Sequence, residues 1–173
     1  MLPDEAVDIL DLAEAEMNER FGDLQEAKVR DIDRYNEQAA VKWPRILIVI
    51  DELASLMLAD RLTAARVEGS IARLTGMSRA VGIHLLMATQ RPTTDVCTGI
   101  IKANAPTRIA FPVMSALDSR VILDQTGAEA LTEKGSMLVR MPALRTLMDI
   151  QGPYISEAQI EAAVTVSRTR MEG

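Results

Sequence analysis

Apolar residues recur at three- and four-residue steps over residues 4–21, where Val7, Leu10, Ala13, Met17 and Phe21 form one stripe and acidic residues fill the opposite side. That spacing predicts an amphipathic helix, because 3.6 residues per turn bring those positions onto one face. Gly22-Asp23 is expected to end it. Residues 29–41 are more polar and read as a second helical stretch before Lys42-Trp43-Pro44, since proline stops a helix and favours extended backbone before it. The pattern then changes. After Arg45, Ile46-Leu47-Ile48-Val49-Ile50 is an apolar run without alternation, which predicts a strand buried on both faces. Helical period returns over residues 60–78, with Val67, Ile71, Leu74 and Ser78 aligned, and residues 83–88 read as a second buried strand. Further along, the pattern predicts a short helix over 95–104, a strand over 107–113, a helix over 115–123 and a helical turn at 127–131. Two strands follow at 135–140 and 145–150, separated by Met141-Pro142-Ala143. Ser156 with Gln159 at the third position after it forms a capping box that opens a last helix.

Strands that alternate with helices predict a single α/β domain with right-handed crossovers and a mostly parallel sheet. The late strand pair is close enough in sequence to be antiparallel. No repeat, low-complexity tract or interdomain linker interrupts the chain, and 173 residues at 48% hydrophobic are enough for one domain with a real core. The longest aliphatic run, Ile46 to Ile50, is far below the roughly 18–20 apolar residues of a membrane span. Met1-Leu2-Pro3-Asp4-Glu5 lacks the pattern of a signal peptide, so the expectation is a soluble, cytoplasmic segment without membrane contact. One cysteine, Cys97, excludes an internal disulfide and reads as a buried or half-buried thiol. One histidine excludes a metal site built on several imidazoles. His84 lies within Ile83-His84-Leu85-Leu86 and reads as a satisfied structural histidine rather than a triad member. The net charge of −6 argues against a general nucleic-acid binder. Any DNA contact must then come from a few arginines or lysines on loops.

Candidate chemistry gathers where the first strand ends in Asp51-Glu52. In open α/β sheets ligands collect at the carboxyl ends of the strands. Two adjacent carboxylates there divide the labour of nucleotide hydrolysis: the first holds Mg²⁺ directly or through water, and the second orients or deprotonates the attacking water. The competing reading is an acidic strand end that only faces solvent. The second strand runs into Thr89-Gln90-Arg91-Pro92, so polar groups again stand where a strand ends, and Thr89 or Gln90 could sense a γ-phosphate or the lytic water.

The order of motifs resembles the FtsK/SpoIIIE family of DNA translocases. The strings that carry the likeness are residues 46–52, Arg79-Ala80-Val81-Gly82-Ile83-His84-Leu85, and Ala88-Thr89-Gln90-Arg91-Pro92. Residues 101–111, Asp118-Ser119-Arg120-Val121-Ile122-Leu123-Asp124 and Gly127-Ala128-Glu129 extend it. Glu16-Met17-Asn18-Glu19-Arg20-Phe21 and Arg34-Tyr35-Asn36 resemble the family's lead-in to its Walker B strand. The resemblance implies a RecA-like P-loop NTPase core with residues 1–44 as helical lead-in, 45–152 as the Walker B strand, sensor and pore-loop region, and 153–173 as a C-terminal helix. It implies ATP and Mg²⁺ as cofactors, with Asp51 on the metal, Glu52 on water, Thr89 beside the nucleotide and Gln90 as polar sensor. Arg79 matches the arginine finger that reaches the ATP of the adjacent subunit, which implies a homo-hexamer. Arg91 and Arg120 match the two loops that line a central pore and touch phosphates of double-stranded DNA. For Arg79, Arg91 and Arg120 the competing reading is an ordinary solvated arginine or an intra-subunit salt bridge.

The chain also departs from the family. A lysine commonly found four residues before the second pore arginine is Ala116 here, and the family's Gly-Asp-Met-Leu is Gly135-Ser136-Met137-Leu138. The segment between the Walker B strand and Arg79 is a few residues longer. No GxxxxGK(S/T) loop occurs in the sequence, and that loop wraps the phosphates in backbone N–H groups. The expectation is therefore a piece of a motor, incomplete at its N-terminal side, that does not hydrolyse ATP alone and whose sheet carries an exposed edge. The family's C-terminal winged-helix module and N-terminal membrane anchor, which places full-length members in the cell membrane, are likewise not among these residues. The implied role is chromosome segregation at cell division. The alternatives are a conjugative or mobile-element DNA pump, a type VII secretion ATPase, and a standalone non-catalytic protein that binds a motor ring.

Overall fold

The computed structural model describes residues 3–171, which divide into two compact units that part between Pro106 and Thr107. In the first unit, helix α1 (Pro3–Glu26) runs through Gly22 instead of ending there. A glycine inside a helix costs only about 1 kcal/mol relative to alanine, and burial of Leu24 continues the stripe of Ala6, Val7, Leu10, Ala13 and Met17. Helix α2 (Ile32–Gln38) is shorter than the polar stretch suggested, because the Asp31 carboxylate accepts from Arg34 N at 2.9 Å and fixes its start. Strand β1 (Ile46–Ile50) is followed by one unforeseen helical turn, α3 (Ala54–Met57), which buries Leu56 and Met57. Helix α4 (Arg61–Met77) starts at Asp60, whose carboxylate accepts from Leu62 N and Thr63 N, and it buries Val67, Ile71 and Leu74 as its period requires. Strand β2 (Ile83–Met87) and helix α5 (Gly99–Asn104) complete the unit.

β1 and β2 pair in parallel, from Ile46 opposite Ile83 to Ile50 opposite Met87. Burial on both faces, expected from the unbroken apolar run, is not what the unit shows. Ile46, Ile48, Ile50, Leu85 and Met87 pack onto the core built by α1, α3 and α4. On the other face Leu47 is 64% exposed, Val49 55% and Leu86 55%. No element of this unit among the described residues covers that face. His84 shares it and is exposed, so it is not the satisfied core histidine that its neighbours suggested. Cys97 is half-buried.

The strand entrances are clamped from α1. Arg20, only 3% exposed, stands in the apolar stripe of the helix. Its Nη1 donates to Pro44 O and to Val81 O, each at 2.9 Å, and its Nε donates to Glu16 at 2.7 Å. The guanidinium lies 5.1 Å from the Trp43 ring centre, and Trp43 stacks on Tyr35 at 3.8 Å. Each carbonyl so held, if left buried and unpaired, costs about 1–3 kcal/mol. A 3-10 turn, Ser78–Val81, then leads to Gly82 at φ +78°, where a Cβ would come within 2.5 Å of Ile32 Cδ1. The left-handed backbone favours glycine there, and any side chain would also have to push the Ile32 terminus aside.

The second unit holds β3 (Arg108–Ala110), α6 (Ala116–Leu123), a 3-10 turn at Ala128–Ala130, β4 (Ser136–Arg140), β5 (Met148–Gln151) and α7 (Glu157–Met171). Its sheet has the order β3-β4-β5 and is antiparallel throughout. The α/β reading stands, but a single mostly parallel sheet does not form: the parallel pair and the antiparallel triple are separate sheets. Only residues 141–147 join β4 to β5, and a parallel crossover needs a dozen residues or more. The last carbonyls of α6 are taken by arginines from this sheet, with Arg108 Nη1 donating to Ile122 O and Arg140 Nη1 to Leu123 O, each at 2.9 Å. Cations favour a helix C-terminus. Helix α7 opens on the expected capping box, with Ser156 N donating to Gln159 Oε1 at 2.8 Å and Gln159 N to Ser156 Oγ at 3.3 Å.

One ion pair makes the α1–α4 packing pH-sensitive. Arg73 Nε and Nη2 donate to the two oxygens of Glu14 at 2.7 and 2.8 Å. Those bonds hold the Glu14 carboxyl below its ordinary value of 4.5 against the opposing effect of burial. A depressed folded-state value means that the contribution is complete above the ordinary value and fades as pH falls through the lower one. Glu14→Gln should cost about 0.5–1 kcal/mol at neutral pH, the range for a partly exposed pair. The gap between the two proteins should close in acid, as read by urea unfolding at about pH 7 and about pH 3.

Candidate functional site

The pairing of the parallel strands continues past their ends. Ala88 N donates to Ile50 O and Leu53 N to Ala88 O, each at 2.8 Å. Those two bonds carry Asp51-Glu52 and Thr89-Gln90 out of the sheet side by side, at the carboxyl edge where α/β folds bind ligands. Glu52 is half-buried and Asp51 exposed. The Thr89 hydroxyl donates to Glu52 Oε1, Ala54 N donates to the same oxygen at 3.0 Å, and Gln90 N donates to Oε2 at 2.9 Å. Burial pushes the Glu52 carboxyl up, but the Thr89, Gln90 and Ala54 hydrogen bonds and the nearby Arg91 charge outweigh it and bring it below the usual range. Glu52 is therefore an ionised acceptor at neutral pH, and a weak base. Such a carboxylate orients a water more readily than it strips one outright.

A cleft of about 490 Å³ opens over this group, lined by Glu52, Ala54, Ser55, Leu58, Gln90 and Arg91. A smaller apolar cavity of about 290 Å³, walled by Ala6, Ile9, Leu10 and Val49, reaches Asp51 and Glu52 from another side. Among the described residues no cluster of three or more His, Cys, Asp or Glu side chains forms a closed metal cage. The exposed Asp51 suits Mg²⁺ nevertheless, because that ion is held by one or two carboxylates together with waters and substrate phosphates. The phosphate side is not matched, since no GxxxxGK(S/T) occurs in the sequence.

Asp51, Glu52, Thr89, Gln90 and Arg91 thus stand together. The Gln90 and Arg91 side chains are exposed, and it is the main chain of Gln90 that holds Glu52. Arg91 N donates to Thr89 Oγ1 at 3.1 Å. Arg79 is not part of this group. It is exposed on the turn that precedes β2, at the opposite end of the parallel pair, and five strand residues at about 3.3 Å each put roughly 16 Å between the two ends. Arg120 is exposed on α6 in the second unit. Ala116 starts that helix just after Met114, which is 98% exposed. Ser136, where the family pattern has a carboxylate, is buried and donates to Gln151 Oε1 of β5 at 2.9 Å.

Two contributors escape the sequence reading. The Ala54 amide donates only because α3 begins there, and no side-chain pattern marks it. Arg20 grips Val81 O on the turn that carries Arg79. Its signal was present: an arginine three residues after Met17, inside an apolar helical stripe.

A family model described as the FtsK/SpoIIIE family matches residues 2–94. The DNA translocase FtsK of Leptospira interrogans serogroup Icterohaemorrhagiae serovar copenhageni is 46% identical over 174 residues, covering 96% of this chain and 18% of that protein. The DNA translocase SftA of Bacillus subtilis is 46% identical over 161 residues, covering 90% of this chain and 17% of that protein. Among solved structures, the pCW3 conjugation coupling protein TcpA, in a monomer form with ATPγS, is similar with a TM-score of 0.86 at 32% identity, over 97% of this chain and 49% of that one. The chain spans about a fifth of the length of the curated relatives it matches. The stretch matched by the family model includes Asp51-Glu52, Arg79 and Thr89-Gln90-Arg91, and with more than half of its residues so matched the chain belongs to the FtsK/SpoIIIE family.

Proposed function

We propose that this chain is part of an ATP-driven motor that moves double-stranded DNA during chromosome segregation at cell division, with a RecA-like P-loop core that works as a homo-hexameric ring. The observation that carries the reading is the main-chain ladder that sets Asp51-Glu52 against Thr89-Gln90 at the carboxyl end of the parallel pair. Mg²⁺-ATP, when bound, supplies the phosphoanhydride bond that is cleaved. Asp51 would hold the metal directly or through water. Glu52 orients the attacking water and receives its proton at a carboxylate oxygen. The exposed Gln90 side chain lines the same cleft as a polar sensor of the terminal phosphate, and Thr89 stands beside the nucleotide with its hydroxyl on Glu52.

Arg79 serves a neighbour in this scheme. The strand length that separates it from its own Asp51 and Glu52 supports a role on the nucleotide of the adjacent subunit, where it stabilises charge that develops on phosphoryl oxygens. Arg91 and Arg120 contact DNA phosphates, which positions the duplex without reading its sequence. A few arginines repeated six-fold around a pore are compatible with a chain of net charge −6. The phosphate cradle is not among these 173 residues, so turnover requires a segment outside them. No helix among the described residues is long and apolar enough to cross a membrane, and the segment is assigned to the cytoplasmic side of a motor whose anchor, where present, lies elsewhere.

The likeness to TcpA favours one second reading, a conjugative DNA pump with the same chemistry and different cargo. The greater identity to FtsK and SftA, at 46%, favours the first. Loss of the gene distinguishes them: a segregation defect supports the first, and loss of DNA transfer with normal division supports the second.

Three measurements on the complete motor test the assignments. Glu52→Gln should keep ATP binding and lower turnover by about 10²-fold or more, the usual contribution of a positioned base. Normal hydrolysis by that variant would remove Glu52 from its role. Arg79→Ala and Glu52→Gln rings should each be inactive, and mixing the two should restore part of the turnover, because one supplies the carboxylate and the other the arginine. No recovery on mixing would end the in-trans role. Arg120→Ala should weaken DNA binding equally for all sequences and reduce the salt slope by about one per lost contact; a sequence-selective loss contradicts a phosphate contact.

A further inference from the structure

We infer that Thr89 is a positioning residue that couples Glu52 to the DNA-facing loop, holding the carboxylate through one hydroxyl that Arg91 also uses. The inference rests on the reading of Glu52 as the group that orients water and of Arg91 as a phosphate contact.

A threonine hydroxyl has one proton to donate and two lone pairs to accept with. Thr89 gives its proton to Glu52 Oε1 and accepts the Arg91 N–H at 3.1 Å. The same oxygen atom therefore joins the carboxylate to the main chain of the loop arginine. A carboxylate offers about four lone-pair sites. Three protein donors already approach Glu52, namely the Thr89 hydroxyl and the amides of Ala54 and Gln90. A water that must be oriented by Glu52 competes with these donors for the remaining directions. The Ala54 amide is fixed at the start of α3, and the Gln90 amide is part of the backbone. The hydroxyl is the donor that can turn away without moving the chain.

The loop is built so that movement of Arg91 reaches Thr89. Thr93 N donates to Arg91 O at 2.9 Å, Val96 is fully buried, and the Thr98 hydroxyl donates to Glu68 of α4 while it caps α5. The far end of the loop is thereby tied to α4. The near end is tied through Thr89. A phosphate that draws on Arg91 displaces the main chain between those two anchors, and the Arg91 N–H to Thr89 bond lies in the path. Release of that bond lets the hydroxyl rotate from Glu52, which then turns to water. DNA contact thereby raises turnover.

The test is ATP turnover by the complete motor with and without duplex DNA, for wild type, Thr89→Val and Thr89→Ser. Valine keeps the branched shape and deletes the hydroxyl; serine keeps the hydroxyl. Thr89→Val should raise DNA-free turnover several-fold and bring the ratio of DNA-stimulated to DNA-free rates close to one, whereas Thr89→Ser should keep the wild-type ratio. An unchanged ratio in Thr89→Val, or a loss by one common factor with and without DNA, overturns the coupling while leaving the hydrolytic reading in place. Absence of turnover in the wild-type motor removes that reading and the coupling with it. A second measurement needs no variant: hydrogen exchange at the Arg91 amide of the wild-type motor should become faster when duplex DNA is added. Unchanged or slower exchange overturns the coupling.

Discussion

Two main-chain hydrogen bonds beyond the last paired residues of β1 and β2 govern the chemistry of this chain. Ile50 O and Ala88 O each accept across the strands after regular pairing has ended, so the backbone is still held in register where the side chains turn polar. Without them Glu52 and Thr89 would sit on independent loops, and loop backbones carry no fixed spacing. With them, a half-buried carboxylate meets a hydroxyl and two amides, and its charge is stabilised although burial opposes it. Of these donors the two amides are part of the main chain and stay in place, and only the hydroxyl is free to turn.

That ladder depends in turn on the strand entrances. Arg20 holds Pro44 O ahead of β1 and Val81 O ahead of β2, Gly82 O accepts from Ile46 N at 2.9 Å, and the Ser78 hydroxyl donates to Ile83 O at 2.7 Å. Each strand begins from a fixed point, so the offset between them at the far end is determined as well. The site at the carboxyl edge is thus positioned from the opposite edge, through two strands of five residues whose buried faces fix their register.

Much of this was legible in the amino-acid pattern, and the failures have physical causes. The Asp51-Glu52 and Thr89-Gln90 ends could be read because a change from aliphatic to acidic or polar residues marks where a buried strand reaches solvent. Ser156 could be read as the cap of the last helix, whereas the caps that Asp60, Thr98 and Ser115 supply emerged only with the structure. Gly22 misled because a single glycine is a weak breaker when the apolar stripe continues beyond it. Ile46 to Ile50 misled in another way: an all-apolar strand states what it can bury, while the second cover depends on elements outside the local pattern. The same gap explains His84, whose neighbours are apolar but whose side chain shares the uncovered face. The antiparallel pairing of β3 with β4 was beyond local reading, since their partners are chosen across a long connection rather than along the chain.

The Arg20 clamp also bears on how relatives could be recombined. Because the guanidinium fork meets two carbonyls from different strand entrances and lies against Trp43, α1 is not an interchangeable cover for the sheet. Lysine offers a point charge without the planar fork, so it would not reproduce the two carbonyl bonds and the ring contact together. In a chimera of two motors of this family, a crossover placed between α1 and β1 would separate the arginine from the turn that it was selected to hold. The first helix and the two strand entrances would have to be exchanged together.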